Sequence, residues 1–152
     1  MPETRRPHIP AALRRQVMAR ARNRCEYCQC PESFSLDTFT VDHVRPWSDR
    51  GPTTLENLAC ACNNCNSRKL DALTVTDPET GQVVPLFNPR TDDWREHFSW
   101  SHDALRIVSL TATGRATEAR LQLNRQGAIN IRRALLALGE THPPLETLLP
   151  AE

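Results

Sequence analysis

A chain of 152 residues suits one compact domain over 1–152, long enough to bury a core. With 24% charged and 5% aromatic residues it reads as soluble, and no apolar run is long enough to cross a bilayer. The net charge of +1 excludes neither sign of partner, but Arg5 to Arg24 holds seven arginines and no acid. That stretch fits a local polyanion contact or, equally, a solvated helix face. The opening MPETRRPHIPAALRRQ has proline and arginine where a secretory leader needs apolar residues, so a cytoplasmic setting is expected. There, six cysteines are more often metal ligands than disulfides.

In chain order, Pro10 followed by AALRRQVMARARNR predicts a basic helix with Leu13, Val17 and Ala21 on one face, ending at Asn23 or Arg24. The cysteines of CEYC form a tight knuckle. DTFTVDHV alternates enough for a strand that sets Phe39 and Val41 on one face. RPWSDRGPTTLEN carries breakers and is a loop, LACA is a second strand, and NNCNSRKLDAL is a helix. Beyond these, DPETGQ is a turn, VVPLF a strand, NPRTDDWREHFSW a turn with an aromatic segment, and ALRIVSL a strand. TGRATEARLQL fits helix or strand. QGAINIRRALLALGE is a helix capped by Asn124, with Ala128, Ile131, Leu135 and Leu138 as its apolar face. The tail from His142 packs on the surface or frays. Trp94, Phe98 and Trp100 suit a small aromatic core better than a base-stacking platform.

Cys25-x-x-Cys28 and Cys62-x-x-Cys65 are knuckles of the kind that hold tetrahedral zinc, with Zn–S near ~2.3 Å. Four thiolates leave no open coordination position, so such a zinc is structural. A redox pair would need a thioredoxin-like βαβ unit, and none is legible nearby. Cys30 and Cys60 read as free thiols, although Cys28-x-Cys30 and Cys60-x-Cys62 would let the quartet shift. A zinc ribbon separates its pairs by about 15–20 residues. Here the gap runs from Gln29 to Ala61, so function is to be sought in what is inserted.

The insert and the second knuckle, VDHVRPWSDRGPTTLENLACACNNCNSRK, contain D-H-x-x-P, then N-L, then C-x-x-C-N-x-x-K. This pattern resembles the HNH endonucleases, with Asn66 in place of the final histidine and with Pro46, Leu58 and Lys69 also matched. LFNPRTDDWREHFSW looks like a segment that follows this core in small bacterial HNH proteins. The resemblance implies an α+β fold, a small zinc-stapled domain with a ββα-metal (HNH) core. That core and its knuckles would span 25–70, after the N-terminal basic helix and before a C-terminal strand/helix extension over 83–140.

A phosphodiester is anionic, so its hydrolysis needs a base, charge neutralisation and help for the leaving group. Histidine, with a reference pKa near ~6.5, suits the base. Adjacent strand residues point to opposite faces, so Asp42 and His43 should not share one job. The resemblance makes His43 the general base and Asp42 a ligand of the catalytic ion, with Asn66 the second ligand. It gives Asn57 a bracing role through bonds to backbone. Two protein oxygens suit Mg²⁺ or Mn²⁺, beside the structural Zn²⁺. DNA is the implied substrate, cut to 5′-phosphate and 3′-hydroxyl ends by a monomer or homodimer without membrane association. Arg68, Lys69, Arg14 and Arg15 are the candidate phosphate contacts. His8, His97, His102 and His142 fall outside the motif and read as non-catalytic. The rival from another class is a zinc-knuckle DNA-binding module that does not cut.

Overall fold

The structure, a computed structural model, describes residues 7–148. Arg5 and Arg6 of the arginine-rich stretch, and the end of the tail, lie outside the described residues. The architecture is mixed α/β, with three two-stranded antiparallel sheets joined by helices.

Helix α1 (Ala11–Arg20) starts after Pro10 and buries Val17 and Met18. It stops short of the expected end at Asn23 or Arg24. Arg22 and Asn23 both take a left-handed φ of 55°, which turns the chain so that Cys25 enters the first knuckle. The turn is closed by the Asn23 amide, which donates to the Met18 carbonyl at 3.0 Å. Strands β1 (Thr40–His43) and β2 (Leu58–Ala61) then form a hairpin in which Val41 faces Cys60, Asp42 faces Ala59 and His43 faces Leu58. Phe39 precedes the strand but is buried with Val41. All four residues of β2 are buried, as expected of a short, continuous apolar run.

Helix α2 (Asn63–Lys69) follows at once, with Cys62 as its cap. The sequence predicted a longer helix; Leu70 takes φ 52° and ends it. Strand β3 (Thr74–Thr76), not anticipated, pairs across the DPETGQ turn with β4 (Val83–Pro85). Helix α3 (Trp94–His97) runs into β5 (Phe98–Trp100), which pairs with β6 (Ile107–Ser109). The ambiguous TGRATEARLQL segment is helical: α4 (Ala112–Leu121) is capped by Thr111 Oγ1, which accepts the Gly114 amide at 3.0 Å.

Helix α5 (Gln126–Ala137) departs from its predicted pattern in two ways. Asn124 is not its cap, because its amide bridges to β6, accepting from Ile107 N at 2.7 Å and donating to Ile107 O at 2.8 Å. Leu138 is 68% exposed, and the buried face is Ala128, Ile129, Leu135 and, unexpectedly, Arg132. Arg132 is tolerated there because its guanidinium donates to Leu105 O at 3.0 Å, Leu123 O at 2.7 Å and Asn124 Oδ1 at 3.2 Å. It also lies over the Trp100 ring, 5.4 Å from the centroid.

One core cluster runs from Val17 of α1 through Phe39 and Leu58 of the hairpin segment to Phe87, Phe98 and Leu121. Trp94 and Phe98 pack with centroids 5.1 Å apart inside it, so these aromatics serve packing. Trp100 Nε1 donates to Thr147 Oγ1 at 2.8 Å and ties down the described part of the tail. Replacing Arg132 with methionine keeps most of the volume but strands these buried acceptors. Urea denaturation of Arg132→Met is expected to show a loss of about 3 kcal/mol, at a cost of ~1–3 kcal/mol per unsatisfied buried group.

Candidate metal centre and active site

The sulfurs of Cys25, Cys28, Cys62 and Cys65 all lie within 4.8 Å of one another, and all four residues are buried. Ligands about 2.3 Å from a tetrahedral zinc define edges of about 3.8 Å. The Cys28 and Cys62 sulfurs are 3.8 Å apart, and every cysteine is free of disulfides. Within each knuckle the second cysteine's amide donates to the first sulfur, Cys28 N to Cys25 Sγ at 3.5 Å and Cys65 N to Cys62 Sγ at 3.4 Å. Burial pushes the Cys25 thiol well up, while hydrogen bonds from Cys25, Cys28 and Cys65 pull Cys62 far down. Arg125 Nη2 lies 3.9 Å from Cys62 Sγ. The four cysteines are positioned to form a zinc site. They gather as one quartet rather than two redox pairs.

Cys60 and Cys30 stand outside it. Cys60 is fully buried, its sulfur 3.2 Å from Met18 Sδ, and Cys30 is half-buried with its thiol 3.5 Å from Pro31 O. Burial pushes both thiols up to about 12.

The two residues inside the first knuckle each hold one strand of the hairpin. Glu26 exchanges bonds with β2: its amide donates to Cys60 O at 2.9 Å, and its Oε2 accepts Cys60 N at 2.8 Å. Arg90 pairs with its other oxygen. Tyr27 reaches β1, its hydroxyl donating to Asp42 Oδ2 at 2.8 Å. The tyrosine is 1% exposed, and burial beside Asp42 pushes its hydroxyl well above the ordinary range, so it remains a donor.

Asp42 is itself buried at 4% exposure, with Lys69 Nζ 3.3 Å from Oδ1 and 3.2 Å from Oδ2. Burial raises its carboxyl above the usual range, and the Lys69 ammonium and Tyr27 hydroxyl oppose the rise. Lys69 corrects an expectation. It is 1% exposed, and its ammonium is spent on Asp42, His43 O and Val44 O, the carbonyls both at 3.3 Å. An ammonium has three N–H donors, and all three are satisfied inside the protein, so Lys69 is no surface phosphate contact.

The His43 ring bonds Thr53 Oγ1 through Nε2 at 3.0 Å. The Asp42 carboxylate thus bonds Tyr27 and Lys69 while the His43 ring bonds Thr53, in keeping with the alternation of a strand. Asn57 clasps the loop between the strands: Nδ2 donates to Arg45 O at 3.0 Å and Pro52 O at 2.9 Å, and Oδ1 accepts Arg45 N at 2.9 Å. That loop closes so tightly that a Cβ on Gly51 would lie 1.7 Å from Arg45 O. Asn66 sits one turn before Lys69 on the same face of α2. Its side-chain amide has no hydrogen-bond partner among the described residues.

Among the other predicted cations, Arg14 is partly committed to the fold, donating to Phe39 O at 2.6 Å. Arg68 is half-buried and donates to Asn64 Oδ1 at 3.1 Å, and Arg15 is exposed. The sequence reading missed Glu26, Tyr27, Thr53 and Arg120. Arg120 donates from α4 to the last carbonyls of α2, Arg68 O at 2.7 Å and Lys69 O at 3.3 Å. CEYC displayed the first two inside a knuckle; nothing local marks Thr53 or Arg120.

Two kinds of donor are therefore assembled side by side. The thiol quartet suits a soft or borderline cation. Asp42 has roughly four lone-pair sites; Tyr27 takes one on Oδ2 and the Lys69 ammonium takes one more, lying 3.3 Å from Oδ1 and 3.2 Å from Oδ2. The carboxylate oxygens of Asp42 and the amide oxygen of Asn66 are hard donors, of the type that Mg²⁺ or Mn²⁺ takes.

Two variants test this arrangement. Cys25→Ser is expected to lose its zinc, about one ion per chain by metal analysis, and to unfold, because metal binding and folding are linked. Gly51→Ala is expected to cost at least ~1–3 kcal/mol of stability by thermal unfolding, since the added carbon meets backbone rather than a flexible side chain.

Residues 25–71 match the family model described as HNH endonuclease. Comparison with curated proteins and with solved structures found no match. The matched residues contain both cysteine pairs, the β1–β2 hairpin and α2, and no helix among the described residues is long and apolar enough to cross a membrane. Over residues 25–71 the chain is thus similar to the family described as HNH endonuclease.

Proposed function

We propose that the protein is a metal-dependent endonuclease that hydrolyses DNA phosphodiester bonds, with His43 as general base. Asp42 and Asn66 would hold one Mg²⁺ or Mn²⁺, and the four cysteines a structural Zn²⁺. The observation that carries this reading is the meeting of β1 and α2: Lys69 touches Asp42, and Asn66 lies one turn away on the same helix face. His43 follows Asp42 at the end of β1.

In this reading His43 takes the proton of the attacking water, with Thr53 fixing the ring. Asn57 touches no substrate and keeps the loop after His43 in one shape through its three backbone bonds. A bound divalent ion would supply charge neutralisation at the phosphate and at the departing 3′ oxygen. Arg15 and Arg68 are the remaining candidates for phosphate contacts. The chain would act as one domain over 1–152, with 25–70 as its core. The extension over 83–140 would brace that core through Arg120 on α2 and Arg125 beside Cys62. One site cuts one strand, leaving 5′-phosphate and 3′-hydroxyl ends.

Incubation with supercoiled plasmid tests the proposal. Nicking is expected with Mg²⁺ or Mn²⁺, none with EDTA, and a fall of roughly 10²–10⁴ in rate for His43→Ala. Undiminished cleavage by His43→Ala would overturn the mechanism. No cleavage of any nucleic acid with any divalent ion would leave a zinc-knuckle DNA-binding module.

A further inference from the structure

We infer that Tyr27 is a positioning residue for the divalent-cation site, holding Oδ2 of Asp42 so that Oδ1 is the oxygen presented to the cation. This rests on the reading of Asp42 as a ligand. At 2.8 Å the tyrosine makes the shortest bond to the carboxylate, against 3.2 and 3.3 Å for Lys69. The tyrosine is also held at both ends. Trp94 Nε1 donates to its carbonyl at 3.1 Å, and Phe87 meets its ring edge-on at a centroid distance of 6.3 Å. The hydroxyl therefore has little freedom to leave the carboxylate.

The two donors on Asp42 differ in what an arriving cation does to them. Lys69 is positive and repels a divalent ion at the same carboxylate, so the two compete. Tyr27 is neutral and can stay bound while the other oxygen changes partner. A neutral donor also leaves the full charge of the carboxylate available to the cation. Because Tyr27 lies between Cys25 and Cys28, the zinc clip fixes the backbone from which that hydroxyl projects. The soft-metal and hard-metal sites are then joined by one hydrogen bond, and removing zinc loosens Asp42.

Tyr27 is the chain's single tyrosine, so 3-fluorotyrosine labels it alone. In the zinc-loaded full-length protein, one ¹⁹F resonance is expected to shift saturably as Mg²⁺ is added. In Tyr27→Phe, zinc content is expected to be unchanged, while Mn²⁺ binding followed by electron paramagnetic resonance weakens about tenfold, as for loss of one hydrogen bond to a charged group. A resonance indifferent to Mg²⁺ would overturn the inference. So would wild-type Mn²⁺ affinity in Tyr27→Phe while Asp42→Ala binds weakly; either result would make Tyr27 a scaffold residue only. Undiminished Mn²⁺ binding by Asp42→Ala would instead remove Asp42 as a ligand, and the inference with it. The fluorine measurement needs no substitution, so an indifferent resonance would overturn the inference even if Tyr27→Phe fails to fold.

Discussion

Four buried cysteine sulfurs within 4.8 Å of one another are positioned to hold one cation, which would offset the mutual repulsion of their thiolates. The placement of that quartet governs the rest of the domain. Cys62 caps α2 and Cys65 lies in its first turn, so the clip fixes where the helix begins and which way it points. Asn66 is the next residue and inherits its position from the clip. On the opposite knuckle, Glu26 and Tyr27 take hold of β2 and β1 respectively. A single metal-sized cluster thereby sets hairpin against helix, which is the geometry the site requires.

Helix α2 shows how much this constraint has to carry. An isolated helix below about 12–15 residues is marginal in water, and α2 has 7. Its stability comes from outside: the knuckle at the N-terminus, Arg120 on its last carbonyls, and Lys69 driven into the interior. Burying an ammonium and a carboxylate together is costly unless the pair is fully hydrogen-bonded. Lys69 and Asp42 meet that condition through Tyr27 and two backbone carbonyls. The pair thus contributes more to orientation than to net stability. Removing either member would leave a buried charge with no counterpart.

The cysteine spacing, the hairpin and the helix after Cys62 were legible because each has a local signal: paired thiols, apolar runs and breakers. The side of α2 on which Lys69 sits was not legible. A lysine at a helix end ordinarily reads as solvated, and only the distant Asp42 makes burial affordable. Arg132 and Leu138 exchanged roles for the same reason, since periodicity scores the arginine as surface while carbonyls from Leu105 and Leu123 satisfy it inside. Asn124 looked like a cap from its position, but β6 offered a donor and an acceptor together at Ile107. Strand β3 is three residues long, too short to display a period. Tyr27 was visible as a letter within CEYC, yet its partner lies across the fold.

The arginine-rich front of the chain looks different once these bonds are counted. Arg14 donates to Phe39 O, Arg20 to Leu55 O and Leu58 O, and Arg24 to Gln29 O and Thr141 O. In each case a guanidinium reaches a main-chain carbonyl far from its own helix or turn. A domain built from three-residue and four-residue strands leaves many carbonyls without a ladder partner, and buried carbonyls must find donors. Arginine answers this need better than lysine, because its planar fork offers five donors that can serve two carbonyls at once. The same device recurs at Arg120 and Arg132, well away from the basic front. Three arginines of the basic front, Arg14, Arg20 and Arg24, are therefore tied to carbonyls and hold short elements together. The excess of arginine over acid in α1 measures structural demand before it measures affinity for a polyanion.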